Sequence, residues 1–263
     1  MSKQHNSFEE FYFRPREETL NLNVVVDYAE DHEGDIGEFY GNMFCPECQQ
    51  AKLSFVHKFS RNRAHLKKFT GSEHEKGCSY NYKCASKKTI RKYIDSLNDK
   101  QIQDKLNSIM YMLSQNSKIK KKSIDDSEEN TKNRENPMLI PEQNNKKTIL
   151  RSLRRKSLNG WIDKSDGTYL YVFYGKVKLE VVEKEKNSDS PEESFKFYVL
   201  NIYTQNKQGE WKFKTSLYRG AIKDSIKEDA IYHIVLIGHL EFKYSPFRIN
   251  LVNKNAIKYR EVK

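Results

Sequence analysis

Apolar and polar positions along the first part of the chain predict a small mixed domain. Residues 20–28 and 38–44 alternate over a few positions as half-buried strands do, and a turn-rich acidic stretch, 29–37, separates them. Residues 54–59 predict a third strand, whereas the basic stretch 63–69 has a helical pattern. We therefore expect short strands followed by a helical segment.

A helical period marks the next segment, residues 86–114. Its apolar side chains recur at intervals of three and four residues. The pair Asn98-Asp99 interrupts this pattern, and such residues favour helix starts and turns, so the segment predicts one or two helices. Together with the strands before it, this segment predicts an N-terminal α+β domain over residues 1–114.

The next stretch, residues 115–157, changes in composition. It is rich in Asn, Lys, Ser and Glu, and its one short apolar patch is residues 138–140. Such a composition buries too little apolar surface to fold alone, so it predicts a disordered, mobile basic linker.

The remainder, residues 158–263, alternates between apolar runs and turn signals. Predicted strands cover residues 168–182, 195–204, 210–218, 231–243 and 248–258. Residues 220–228 predict a short helix, and the lone Gly175 inside the first strand predicts a bulge. This order resembles the OB-fold, a small five-stranded β-barrel. The predicted fold class is thus α+β, with an N-terminal finger domain and a C-terminal OB-like barrel.

The charge of the chain indicates a polyanionic partner. Its 47 Lys and Arg against 36 Asp and Glu give a formal net charge of +11. Clustered cations gain affinity by displacing counterions from phosphates, which makes nucleic acid the leading partner class. No apolar run approaches the roughly 20 residues that span a bilayer, and the N-terminus lacks a secretory-signal pattern. We expect a cytoplasmic protein without membrane association.

The cysteines predict a structural zinc site. All four lie between Cys45 and Cys84, and in a reducing compartment thiolates are better suited to metal than to disulfides. Cys45 and Cys48 form a C-x-x-C knuckle, and His74 and Cys78 form a second pair with ligand spacing. Four protein ligands leave no open position for water, which favours a structural role for one Zn²⁺. His65 or Cys84 remains an alternative to a member of the second pair.

Residues 44–78 carry a family resemblance. The Cys45-Pro46-Glu47-Cys48 knuckle, the basic segment 61–66 and the closing segment 71–78 resemble the zinc-finger head of CoiA-like competence proteins. The resemblance implies ligands at Cys45, Cys48, His74 and Cys78 and a role in handling nucleic acid. It covers a small part of the chain, and no recognisable nuclease half follows the finger.

Basic clusters and aromatic residues predict a non-enzymatic nucleic-acid-binding protein, with single-stranded DNA or RNA as the expected ligand. Binders of single strands combine a basic groove with aromatic faces on which bases stack. In the C-terminal domain aromatic residues alternate with lysines, and Trp211 lies close to a predicted hairpin tip. The candidate contact residues are Arg61, Arg63, Lys67, Lys68, Arg151, Arg154, Arg155, Lys156, Trp211 and Lys212.

Two other functions stay open. A protein–protein adaptor of a bacterial mobile-element or defence system would use the same charges to meet an acidic partner, with the linker setting the reach of two domains. A metal-dependent nuclease would use carboxylate-x-lysine tripeptides such as Glu210-x-Lys212 and Glu241-x-Lys243. Motifs for nucleotide, dinucleotide or ester chemistry are absent, so no small-molecule substrate is evident.

Overall fold

A computed structural model describes residues 8–59, 63–115, 136–144, 147–186, 195–243 and 247–262. The chain divides into two compact units. The first combines Met1–Ala85 with Tyr111–Arg154, and the second combines Ser86–Met110 with Arg155–Lys263. This division differs from the predicted one, because most of the predicted helical segment belongs with the C-terminal strands rather than with the finger. In the part of the chain described, no helix has the length and apolar character needed to cross a bilayer.

The first unit begins with a three-stranded antiparallel sheet and a helix. Its elements are β1 (Glu10–Phe13), β2 (Glu18–Asn21), α1 (Leu22–Asp31) and β3 (Met43–Phe44), and the strand order is β2-β1-β3. The prediction of a strand over residues 20–28 is wrong for most of that range. The Asn21 side chain accepts a hydrogen bond from the backbone of Asn23 and starts a helix there, and Val25 and Ala29, one turn apart, are buried.

A second element of this unit is the antiparallel ribbon of β4 (Leu53–Val56) and β5 (His65–Lys68). The helical prediction for residues 63–69 is therefore wrong. In β5 only Leu66 is buried, so one apolar residue is enough to anchor a strand that pairs along β4. Leu53 and Leu66 join the core beneath the sheet, together with Phe11 and Phe13.

The described part of the predicted linker is ordered into strands. Strands β6 (Leu139–Asn144) and β7 (Lys147–Ser152) pair as an antiparallel hairpin. Met138 and Ile140 are fully buried, and the backbone of Leu153 donates to the carbonyl of Met138. The apolar patch therefore forms a folded hairpin in the first unit, contrary to the linker prediction for this part. Residues 116–135 lie outside the described ranges.

Two helices open the second unit, as the periodicity predicts. They are α2 (Lys87–Asp95) and α3 (Asp99–Gln115). Asn98 separates them: its side chain accepts from the backbone of Gln101, and the Gln101 side chain accepts from the backbone of Asn98 in return. This reciprocal capping box confirms the predicted break.

The second unit is dominated by one seven-stranded sheet, two strands more than predicted. Its strands are β8 (Arg154–Ser157), β9 (Leu170–Lys186), β10 (Phe195–Gln205), β11 (Trp211–Gly220), β12 (Ile231–Glu241), β13 (Arg248–Leu251) and β14 (Ile257–Glu261). Their order is β14-β12-β13-β11-β10-β9-β8, and β12 pairs additionally with β9. Strand β11 runs parallel to β13. The pairings of β10 with β9 and β11, and of β12 with β9, β13 and β14, are antiparallel.

Two local predictions for this unit are wrong. The register between β9 and β12 runs without a shift past Gly175, so no bulge forms there. The glycine instead makes room for a neighbour, since an added Cβ would lie 2.7 Å from Oδ1 of Asn159. Residues 220–228 contain no helix; a bidentate pair from Arg219 to Asp224 holds this segment in an irregular turn.

Candidate metal centre and basic surfaces

The first half of the metal centre is a tight turn after β3. The backbone N–H of Cys45 donates to the carbonyl of Ala51 at 2.7 Å, and that of Gln49 donates to the carbonyl of Cys45 at 2.9 Å. These bonds fold the chain back over the C-x-x-C segment. Both thiol groups, Cys45 and Cys48, consequently point to one side of the turn.

The loop after β5 supplies the second half. The Sγ atom of Cys78 lies 3.8 Å from Sγ of Cys45 and 3.5 Å from Nδ1 of His74, which is 3.5 Å from Sγ of Cys48. All four donor atoms lie within 4.8 Å of one another. A tetrahedral ion with usual zinc–sulfur and zinc–nitrogen bonds would separate two sulfurs by about 3.8 Å and a sulfur and a nitrogen by about 3.6 Å. The cluster could therefore hold one metal ion.

The three thiols lie close enough together to shift one another's pKa values. Burial raises the pKa of Cys45 to about 12. Hydrogen bonds from Cys45 and Cys78 lower the pKa of Cys48, and the contact with Cys45 raises the pKa of Cys78. The thiols thus shift one another's pKa values in opposite directions. A bound divalent ion would compensate the charge of three thiolates, which is the chemistry expected of such a donor set.

Hydrogen bonds fasten the two halves outside the donor atoms. Glu47, inside the C-x-x-C turn, accepts from the backbone N–H and from the hydroxyl of Ser79, both at 2.6 Å. Asn136 donates through its amide to the Glu47 carboxylate at 2.5 Å and to the carbonyl of Gly77 at 2.9 Å. Because Gly77 and Ser79 flank Cys78, these contacts fix the position of that ligand.

An aromatic stack orients the histidine. The Tyr80 ring lies parallel to that of Phe8 with centroids 4.4 Å apart, and 13° from parallel to the His74 ring at 5.8 Å. Asn81 donates to the backbone carbonyls of His74 and Glu75 at 3.4 and 3.2 Å. Ring packing and backbone contacts together hold Nδ1 of His74 toward the sulfurs.

The alternative ligands lie elsewhere. Nδ1 of His65 is 3.0 Å from the backbone carbonyl of Arg63 on the exposed side of β5. Cys84 is half-buried beside β7, where burial raises the pKa of its thiol. Among the described residues, only the four predicted ligands form a group of this kind.

Some of the basic residues predicted to contact nucleic acid are exposed, and others are paired with a carboxylate or half-buried. Arg63, Lys67 and Lys68 are exposed, whereas Arg61 lies outside the described residues. In the former linker, Arg151 pairs with Glu142 at 2.5 Å and Arg154 is half-buried.

Two of the predicted nucleic-acid contact residues are buried, so the prediction is wrong for them. Arg155 is 8% exposed and Lys156 is 5% exposed, and Lys156 pairs with Asp166 at 3.1 Å. They are buried because β8 is a strand of the large sheet rather than part of a linker. Neither side chain is available for a polyanion.

The hairpin tip also differs from expectation. Trp211 is half-buried with Nζ of Lys178 at 5.8 Å from its ring centroid, and Lys212 pairs with Glu210 at 3.1 Å. The exposed rings of the same strand are instead Phe213, 43% exposed, and Tyr218, 55% exposed. Sequence alternation could not find them because their exposure depends on a register shift between β10 and β11.

These rings lie on one outer surface of β9, β10 and β11. Phe197 and Tyr218 form one ring pair with centroids 5.5 Å apart, and Tyr203 and Phe213 form a second at 5.7 Å. We call these four residues the aromatic face. Exposed Lys184 lies beside Phe197 in the β9–β10 register.

One carboxylate also belongs to this surface. Glu180 accepts hydrogen bonds from Asn201 at 3.0 Å and from the Tyr203 hydroxyl at 2.6 Å, and these bonds lower its pKa. Its charge is thus partly satisfied by neighbours within the surface, and it fixes the Tyr203 ring in place.

The two carboxylate-x-lysine tripeptides have ordinary structural partners. Glu210 binds Lys212 and the Asn206 side chain in the β10–β11 turn. Glu241, at the end of β12, accepts from the amide of Asn250 at 2.8 Å. The nuclease interpretation gains no support from these contacts.

Comparison of the chain with protein-family models, with curated proteins and with solved structures finds no match.

Proposed function

We propose that this protein binds single-stranded nucleic acid through the aromatic face and that its N-terminal unit is held together by one structural Zn²⁺. The observation that carries the proposal is the exposure of Phe213 and Tyr218 on one face of β11, where each ring packs against a ring of β10. Exposed rings on a sheet are suitable platforms for stacked bases, and stacking accepts any base. The net charge of +11 favours the accompanying phosphates.

The strand order supports an OB-like barrel as the scaffold. Hydrogen-bonded pairings link β9 to β10, β10 to β11, β11 to β13, β13 to β12 and β12 to β9. An OB-fold uses its second and third strands to bind oligonucleotides, and β10 and β11 occupy those places in this order. The aromatic face thus lies where an OB-like domain would bind a strand.

The donor set supports zinc as the metal. Three thiolates and one imidazole form a soft tetrahedral site, which suits Zn²⁺ better than the oxygen-seeking Mg²⁺ or Ca²⁺. With all four positions supplied by the protein, the ion would stabilise the finger rather than activate water. Such a thiol-rich site also favours a reducing compartment such as the cytoplasm.

Fluorescence anisotropy with labelled single- and double-stranded DNA and RNA, at low and moderate salt, tests the proposal. Tyr218→Ala and Phe213→Ala should each weaken binding of single strands by about five- to a hundredfold, as expected for loss of one stacking ring. Tyr111→Ala removes a ring that is 54% exposed on α3 and should leave affinity unchanged. Binding to none of the four nucleic acids would overturn the proposal and favour a protein partner on the same rings.

A further inference from the structure

The first unit contains a concave surface that the aromatic face does not explain. A cavity of about 290 Å³ lies between the β4–β5 ribbon and the loops before β3. Its walls include Tyr40, Lys52, Ser54, His57 and Phe69. This volume is at the lower end of ligand pockets and suits one small ring system.

Two walls of the cavity are aromatic rings that the protein leaves uncovered. Tyr40 is 81% exposed and Phe69 is 50% exposed. Nζ of Lys52 lies 5.7 Å from the centroid of the Phe69 ring. Among the described residues no carboxylate pairs with Lys52, so its charge remains available beside the rings.

The ribbon register explains why these groups share a surface. The backbone of Phe69 donates to the carbonyl of Lys52 at 2.9 Å and extends the pairing in which Ser54 lies opposite Lys67. Alternate pairs share one face of a ribbon, so Lys52, Phe69, Ser54 and Lys67 lie on the same side. The residues that alternate with them, Leu53, Phe55 and His57, also line the cavity, and Leu53 and Phe55 pack against the core.

We propose that this cavity, the finger pocket, binds the base of an unpaired nucleotide within a longer strand. Tyr40 and Phe69 offer stacking surfaces for the base, and Lys52 and Lys67 offer charge to the phosphates that flank it. The combination of exposed rings and two amines on a basic chain favours a polyanion over an apolar peptide. One carboxylate, Asp35, also lines the cavity and accepts a hydrogen bond from the backbone of Gly37 at 3.0 Å. This inference rests on the proposed function and adds a second contact site, in the first unit.

The test compares two ligands that differ only in their bases. One is a short fluorescent oligothymidylate, and the other is the same sugar–phosphate backbone without bases. Tyr40→Ala and Phe69→Ala should each weaken binding of oligothymidylate by about five- to a hundredfold and leave binding of the base-free backbone unchanged. Lys52→Gln should weaken binding of both and reduce the salt dependence by about one phosphate contact.

Phe59→Ala is the matched control. Phe59 is 78% exposed but does not line the cavity, so its removal should change neither affinity. Metal content and far-ultraviolet circular dichroism of each variant should equal those of the wild type. If Tyr218→Ala weakens binding while Tyr40→Ala and Phe69→Ala do not, the finger pocket is overturned and the proposed function stands. If the wild-type protein binds no oligonucleotide, both proposals fail together.

Discussion

Asn136 donates a hydrogen bond to the carboxylate of Glu47, a residue 89 positions earlier in the chain and inside the C-x-x-C turn. The same amide donates to the carbonyl of Gly77, next to the ligand Cys78. One side chain from the segment before β6 therefore joins both halves of the metal centre. The second contact of Glu47, to Ser79, completes this link.

Replacing Asn136 with Ala should weaken metal binding by about tenfold or more, because outer contacts of this kind orient metal ligands. Competition with a chromogenic chelator measures the change. Gln143→Ala is a suitable control, since Gln143 lies on the neighbouring β6 and, within the described ranges, its side chain donates to Thr148 and not to the metal-centre residues. Equal affinities for wild type and Asn136→Ala would show that the link to Glu47 does not support the metal.

Metal analysis of the purified protein should give one zinc ion per chain. Cys78→Ser should remove most of it, because a hydroxyl replaces a thiolate ligand, whereas Cys84→Ser and His65→Ala should retain it, since neither side chain reaches the cluster. Chelation should lower the thermal stability of the wild type and leave little further effect in Cys78→Ser. Full zinc content in Cys78→Ser would contradict the ligand assignment.

The cluster of Cys45, Cys48, His74 and Cys78 could be predicted from sequence because its signal is local. Two pairs with fixed short spacing meet at one ion whatever the surrounding fold, and the periodic segment before residue 115 is likewise local. The prediction of a strand over residues 20–28 failed for the opposite reason, since a helix, α1, covers most of that range. Its run of Val24, Val25 and Val26 is typical of strands, and the Asn21 cap together with core packing of one helical face overrides that preference.

The interface residues could not be predicted because exposure is a property of the assembled sheet. Arg155 and Lys156 look like the end of a basic run, but β8 places both in the interior, and Lys156 pairs there with Asp166. Phe213 and Tyr218 look like core residues, but the shifted register of β10 and β11 exposes them. Such pairings link distant segments, and no short pattern encodes them.

We expect the stability of the protein to depend on pH through the protonation of His239. Burial, with the nearby charges of Lys87 and Arg91, lowers its pKa in the folded protein, and its Nδ1 has no hydrogen-bond partner among the described atoms. The unfolded chain therefore binds the proton more readily, so stability should fall as pH drops from the unfolded value near 6.5 toward the folded pKa. His239→Gln should flatten this part of the curve.

Thermal melts between pH 5 and pH 8 measure the effect. Arg91→Gln should also reduce the dependence of stability on pH, because it removes one charge that repels the protonated imidazole. Lys88→Gln is the matched control, since Lys88 is exposed on the same helix and does not shift the pKa of His239. A slope unchanged in His239→Gln would assign the acid sensitivity to other groups.

The buried ion pair of Arg219 and Asp224 stabilises the irregular turn after β11, so a mutation that breaks it should lower the free energy of unfolding strongly. Their side chains are 6% and 5% exposed, and the guanidinium donates to both carboxylate oxygens at 2.7 and 3.0 Å and to the carbonyl of Lys254 at 2.9 Å. Asp224→Ala leaves the arginine charge buried without its partner and should cost about 3–5 kcal/mol of unfolding free energy. Urea titration of the second unit's transition measures this loss.

The double variant Arg219→Met, Asp224→Leu separates the two costs within this pair. Breaking the pair leaves an uncompensated buried charge, whereas replacing both groups removes the charge together with its desolvation penalty. The double variant should therefore unfold at higher urea concentration than Asp224→Ala alone, even though it retains fewer hydrogen bonds. A double variant less stable than Asp224→Ala would instead assign the stability of the turn to the bond between Arg219 and Lys254, which Asp224→Ala retains and the double variant lacks.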